Sequence, residues 1–142
     1  MDLIQAYRDT RYTTKIGIVL VVDTKSEKLD QILSESDVSS AIYITAWNPF
    51  SQMMNSDENQ ELNGLLKSDL LTLIDEEKVI NGFGEDPSGK WPGEESFLAL
   101  GITKEEGTRL SEKYRQNAFV YHELGMKTEL ILTLPKGISD RK

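Results

Sequence analysis

The sequence predicts an α+β (α/β-like) fold: one domain built on a mixed β-sheet, with helices packed on it and a C-terminal β-hairpin. Three observations carry this. Apolar runs rich in β-branched residues alternate with segments whose apolar residues recur at helical spacing. The last part of the chain holds two strand-like runs joined by a short turn, the pattern of a hairpin. A chain of 142 residues supports one ordinary core and is too short for two comfortable ones. The domain is expected over residues 1–135, with 136–142 as a flexible tail carrying Lys136, Arg141 and Lys142.

Leu3, Ile4 and Tyr7 share one face of a short opening helix. Tyr12 to Val22 reads as one strand, apolar on both faces from Ile16, as in a sheet covered by helices. Asp23-Thr24-Lys25-Ser26 breaks that run, and Ser26 then caps a helix marked by Leu29, Ile32 and Leu33. Ala41 to Trp47 is the second strand, ended by Pro49, which has no N–H for a sheet ladder. Ser56 is placed as the cap of the longest helix, whose buried stripe is Leu62, Leu65, Leu66, Leu70, Leu73 and Ile74. From Asp75 to Glu95 the periodicity disappears among glycines and prolines, which predicts a long functional loop. Ser96 to Leu100 resumes as a strand. Thr103-Lys104-Glu105-Glu106 is a capping box opening a helix to about Tyr114. Asn117 to Tyr121 and Thr128 to Leu134 then form the hairpin across residues 123–127.

Composition narrows the function classes. At 38% hydrophobic and 28% charged residues the chain has the make-up of a folded, soluble domain. The longest apolar run, Ile16 to Val22, is far shorter than the ~20 residues of a membrane-spanning helix. A net charge of −8 opposes general nucleic-acid binding, which draws its affinity from Lys and Arg on phosphates. No cysteine is present, so thiolate metal sites and disulfides are excluded, and a cytoplasmic setting is expected.

The chemistry-bearing residues lie at the ends of apolar runs. Gly84 to Trp91 follows most of a phosphate-binding loop, but Trp91 stands where the magnesium-binding hydroxyl belongs and Pro92-Gly93 follows in place of a helix. The match is accidental. Glu94 and Glu95 are adjacent carboxylates; in extended chain neighbours point to opposite faces, so at most one faces a cleft. Glu95 is taken as the candidate catalytic base and Glu94 as a ligand contact, against the plainer reading of surface acids. Asn48 and Ser51 sit where a strand becomes a turn, where their side chains either bond the local backbone or read a ligand. Asn55, Asn59 and Asn63 recur every four residues, and asparagine is a poor helix former, so Asn59 is a candidate for the same cleft. Gln116 and Asn117 open a strand and either tie loops together or contact ligand. His122 is the only histidine, with no second histidine or cysteine beside it for a zinc set, and reads as structural. No metal and no cofactor is assigned. Trp47, Phe50, Phe83, Trp91 and Phe97 are ring anchors, with Trp91 placed as a cover over the ligand.

The tracts Tyr43 to Ser51, Trp91 to Phe97, Leu100-Gly101-Ile102 and Gln116 to Val120 together resemble the bacterial domain of unknown function 3293 family, and the stretch from Ala6-Tyr7 to Tyr12 also fits. Gly93 departs from the acidic residue or alanine expected before Glu94. The resemblance implies a small bacterial cytoplasmic domain and implies no reaction. The residues themselves point to a small polar ligand held in a loop-lined cleft by Asn48, Ser51, Asn59, Trp91, Glu94, Gln116 and Asn117. The alternative is a protein-interaction module gripping its partner through Trp47, Phe50 and Trp91.

Overall fold

The computed structural model describes residues 3–89 and 93–133. Over them the chain runs α1 (Leu3–Asp9), β1 (Arg11–Thr14), β2 (Val19–Leu20), α2 (Glu27–Glu35), β3 (Ser40–Ile44), α3 (Ser56–Leu71), β4 (Val79–Glu85), β5 (Glu94–Leu100), α4 (Lys104–Lys113), β6 (Ala118–Glu123) and β7 (Glu129–Leu132), with 3-10 turns at Pro49–Ser51 and Glu76–Lys78. The strands form a seven-stranded sheet in the order β2-β1-β4-β5-β3-β6-β7. The class is α+β as expected. Within it every pairing is antiparallel, where the alternation of strands and helices had pointed to a mixed sheet.

Period-two alternation sorts the side chains onto two faces. Ile42 and Ile44 of β3, Phe97 and Ala99 of β5, and Phe119 and Tyr121 of β6 meet Leu66 and Leu70 of α3 and Leu110 of α4. Ala41 and Tyr43, Leu98 and Leu100, and Val120 turn the other way, onto Leu29 and Leu33 of α2 and onto Tyr12, Ile18, Leu20 and Val22. Covered on both sides, β3 and β5 are near-continuous apolar runs, as sheet centres require.

Two expectations about strands are corrected. Tyr12 to Val22 is not one strand but the tight hairpin β1–β2. Its turn is made by Thr14, whose hydroxyl accepts from the Ile18 N–H (3.0 Å) and donates to the Ile18 carbonyl (2.9 Å), with Gly17 at φ 83°. The segment after Asp75 is not one long loop: β4 takes seven of its residues and lies between β1 and β5. Glycine hid this strand from propensity and yet is required in it. A Cβ on Gly82 would lie 2.5 Å from the Thr13 carbonyl oxygen and 2.7 Å from the Tyr43 hydroxyl.

Helix ends follow local rules. Ser26 caps α2, accepting from the Leu29 N–H at 3.2 Å, and Thr103 with Glu106 forms the capping box of α4. The cap of α3 is Asn55 rather than Ser56, its side chain accepting from the Glu58 N–H at 2.8 Å. The inward stripe of α3 also differs from expectation. Leu65 and Leu73 are exposed, whereas Asn59 and Asn63 are buried alongside Leu66 and Leu70. Residues 136–142, expected as a tail, lie outside the described residues.

Candidate functional site

Past Ile44 the chain leaves the sheet, and its backbone needs other partners. Side chains from α3 supply them. The Ala46 N–H donates to Asn63 Oδ1 and the Asn48 N–H to Asn59 Oδ1, each at 2.8 Å, while Asn63 Nδ2 donates to the Glu95 carbonyl at 2.8 Å. Thr45 adds its hydroxyl to that same carbonyl at 2.7 Å. Asn63 therefore ties the start of the 45–55 loop to β5, and Asn59 ties Asn48 to α3.

The loop so held is strained. Asn48, Phe50 and Ser51 have φ of 46°, 52° and 61°, and Arg115 opposite has φ of 55°. Left-handed backbone at non-glycine residues is costly and tends to collect where side chains must be aimed. Here the Phe50 N–H donates to the Arg115 carbonyl (2.6 Å), locking two loops together. Asn48 presents its side chain to the Glu94 carboxyl. Ser51 Oγ accepts from Asn117 Nδ2 at 3.0 Å and lies 3.4 Å from the Tyr7 hydroxyl.

Glu94, Tyr7 and the aromatic rings of Tyr12 and Tyr43 border a cavity of about 50 Å³, also lined by Thr10, Gly84 and Ser96. That is room for a few water-sized groups. Tyr7, Asn48 and Glu94 are half-buried and Ser51 is exposed, so the cluster opens to solvent. Burial pushes the Glu94 carboxyl from 4.5 up to about 7, against the opposing pull of the Asn48 bond. Burial likewise raises the Tyr7 phenol, opposed by its bonds to Ser51 and Asn117 and reinforced by the Glu94 charge. It raises Tyr12 and Tyr43 further still. Near neutral pH the phenols stay protonated, and Glu94 exchanges its proton. A carboxyl poised near 7 suits both proton transfer and the recognition of a ligand's N–H.

The sequence-predicted residues separate into three groups. Glu94 and Gln116 line the cavity, and Asn48, Ser51 and Asn117 stand just outside it, against Glu94 and Tyr7. Asn59 and Gln116 brace the loop that carries Asn48. Asn59 Nδ2 donates to Asn48 Oδ1 at 2.8 Å, and Gln116 Nε2 donates to the Trp47 and Tyr114 carbonyls at 3.2 Å each. Glu95 lies exposed on the opposite face, in a groove under α3 with Gln60, Asn63 and Lys67. It is apart from the cavity, as strand alternation dictates. Trp91, placed as a cover, lies outside the described residues.

Tyr7, Tyr12 and Tyr43 were not singled out as site residues. Their signal is faint: a tyrosine on a helix face and two in strands look like ordinary core rings. Gly93, the departure noted above, abuts the Phe83 ring so closely that a Cβ would lie 2.0 Å from it.

His122 sits elsewhere, 1% exposed, with Nε2 2.7 Å from Asp30 Oδ1 and Nδ1 3.1 Å from Thr128 Oγ1. This hydroxyl–imidazole–carboxylate row has the order of a hydrolytic triad. Thr128 is also 1% exposed, which leaves no place for a substrate, so the row ties α2 to the β6–β7 hairpin. Among the described residues no three of His, Cys, Asp or Glu converge on one metal position, and no helix is long and apolar enough to cross a membrane.

The family described as Protein of unknown function (DUF3293) matches residues 44–119. That span contains Asn48, Ser51, Asn59, Glu94, Gln116 and Asn117, and leaves Tyr7, Tyr12 and Tyr43 outside it. No curated protein and no solved structure matches the chain.

Proposed function

The chain belongs to the DUF3293 family, whose description assigns no function, so from the site alone we propose that it binds a small polar ligand at the Glu94 cavity. Glu94 is the group that meets the ligand and exchanges a proton with it. Asn48, Ser51 and Asn117 set the geometry, and Asn59 and Gln116 brace them. The observation that carries the reading is the placement of a proton-exchanging carboxyl at a small, mostly apolar cavity, beside a loop whose backbone is strained at Asn48, Phe50 and Ser51. Glu94 can serve as acid or base, and among the described residues that line the cavity no activated nucleophile stands beside it.

Saturation-transfer NMR with a panel of small charged and neutral polar fragments, run on the wild-type protein and on Glu94→Gln, tests this. Fragments whose signal disappears in the variant support the site. Fragments that bind both proteins equally, or a panel without a single hit, remove it.

A second reading has an observation of its own. Pro49, Phe50, Met53, Met54, Leu62 and Leu65 line an open groove of about 610 Å³, with Met53 77% and Leu65 52% exposed. Apolar surface of this kind suits a protein partner anchored near Phe50. Met53→Glu would abolish capture of such a partner while leaving fragment binding at Glu94 intact.

A further inference from the structure

Five of the six hydroxyl side chains that line the Glu94 cavity, those of Thr10, Tyr12, Tyr43, Thr45 and Ser96, spend their hydrogens on backbone carbonyls, and the sixth, Tyr7, faces Ser51 Oγ at 3.4 Å. Tyr12 donates to the Tyr7 carbonyl at 2.6 Å, and Tyr43 to the Thr13 carbonyl at 2.8 Å. Thr10 donates to the Ala6 carbonyl at 2.7 Å, and Ser96 to the Glu94 carbonyl at 3.0 Å. A hydroxyl that has donated keeps its lone pairs. The cavity therefore offers oxygen acceptors and a carboxyl, and it is short of donors.

Charge agrees with this count. The chain has 16 lysines and arginines, yet none of them is among the described residues that line the cavity. Among the described residues no cation compensates Glu94 there. An anionic ligand would face a carboxyl with nothing to neutralise it, and a carbonyl ligand would find few hydrogens to accept. The walls are aromatic: Tyr12 and Tyr43 meet edge to face at 5.2 Å with 66° between their planes. Ring faces beside a carboxylate attract cations.

Resting on the small-ligand reading above, we infer that the ligand presents a cationic, donor-only head group, an alkylammonium or a guanidinium, to Glu94 and the tyrosine walls. Such groups carry three or five N–H donors and no acceptor, the complement of this lining. A cavity of about 50 Å³ takes the head group alone, so the rest of the molecule lies outside it. Because the Glu94 carboxyl titrates at about 7, a bound cation displaces its proton into solvent.

The test uses the full chain at pH 6 and millimolar ethylammonium chloride, guanidinium chloride, urea, sodium acetate and sodium chloride. Carbon-13 NMR of labelled glutamate carboxyls reads the Glu94 resonance. Calorimetry in two buffers of different ionisation enthalpy counts protons. The expected result is that at least one of the two organic cations moves Glu94 towards its ionised shift, releases close to one proton per ligand, and binds at least tenfold more weakly to Glu94→Gln. Sodium chloride at the same strength has no such effect. Urea or acetate binding at Glu94 as tightly as the cations overturns the cationic head group and leaves a small-ligand site standing. Binding of the cations equally to Glu94→Gln overturns it too. If no probe perturbs Glu94, both readings fall together.

Discussion

Asn48 and Asn59 hold each other through two hydrogen bonds of 2.8 Å. The Asn48 N–H donates to Asn59 Oδ1, and Asn59 Nδ2 donates back to Asn48 Oδ1. Asn48 Oδ1 also accepts from the Met54 N–H at 3.0 Å, so its carbonyl side is fully used, and its amide, which lies 3.9 Å from Met53 Sδ, faces Glu94. A residue on a helix thus decides the orientation of a residue on a loop, and through it the surroundings of the buried carboxyl.

Removing that brace has a defined cost. Asn59 is 1% exposed, and Asn59→Ala leaves the Asn48 N–H without its acceptor. Urea unfolding is expected to show a loss of about 1–3 kcal/mol. A loss below about 0.5 kcal/mol would show that water replaces the amide and that the clamp is dispensable.

Glu94 makes stability depend on pH. Its folded-state value, about 7, lies above the ordinary 4.5, so its contribution is fully present below pH 4.5 and is lost as pH rises through 7. The displacement corresponds to about 3 kcal/mol. Glu94→Gln cannot ionise. Its advantage over the wild type is expected to grow between pH 4.5 and 7 and to level off above. Parallel stability curves for the two proteins would contradict this.

Asp30 works in the opposite direction. Burial alone would raise its carboxyl, but the bonds from His122 and the Gly125 N–H outweigh burial and hold it below 3.8. Its contribution is present above pH 3.8 and disappears as pH falls through the lower folded value. Asp30→Asn is expected to cost about 1–3 kcal/mol at pH 7, with the gap to wild type closing in acid. An equal gap at pH 7 and in acid would mean that shape, and not charge, matters at this position.

Gly82 and Gly84 are expected to behave differently despite sharing a strand. An alanine Cβ at 82 meets backbone at 2.5 Å, whereas at 84 its nearest neighbour is the Thr10 methyl at 3.8 Å. Gly82→Ala should lose about 1–3 kcal/mol by overpacking. Gly84→Ala should fold as well as wild type, and should weaken fragment binding because Gly84 lines the cavity. Equal thermal midpoints for the two variants would refute the distinction.

Much of this protein is local in origin, and that part was readable from the chain alone. The Ser26 cap, the capping box of Thr103 and Glu106, the terminal hairpin and the apolar strands β3 and β5 each depend on residues close together in sequence. So did the separation of Glu94 from Glu95 onto opposite faces, which follows from strand geometry. Which of the two carboxyls met the cavity was not local, because it depends on which face α1 and the 48–51 loop cover. The strand β4 was hidden for a related reason. Its glycines lower strand propensity, while the need for them arises from Thr13 and Tyr43, far away in the chain.

The sequence by itself determined the α+β class and most helix ends. Tertiary structure alone decided the all-antiparallel order, the inward turn of Asn59 and Asn63, and the three tyrosines around Glu94. Hydrogen-bond caps and periodicity act within a few residues. Burial, which raises Glu94 to about 7, comes into being only when distant segments pack against each other.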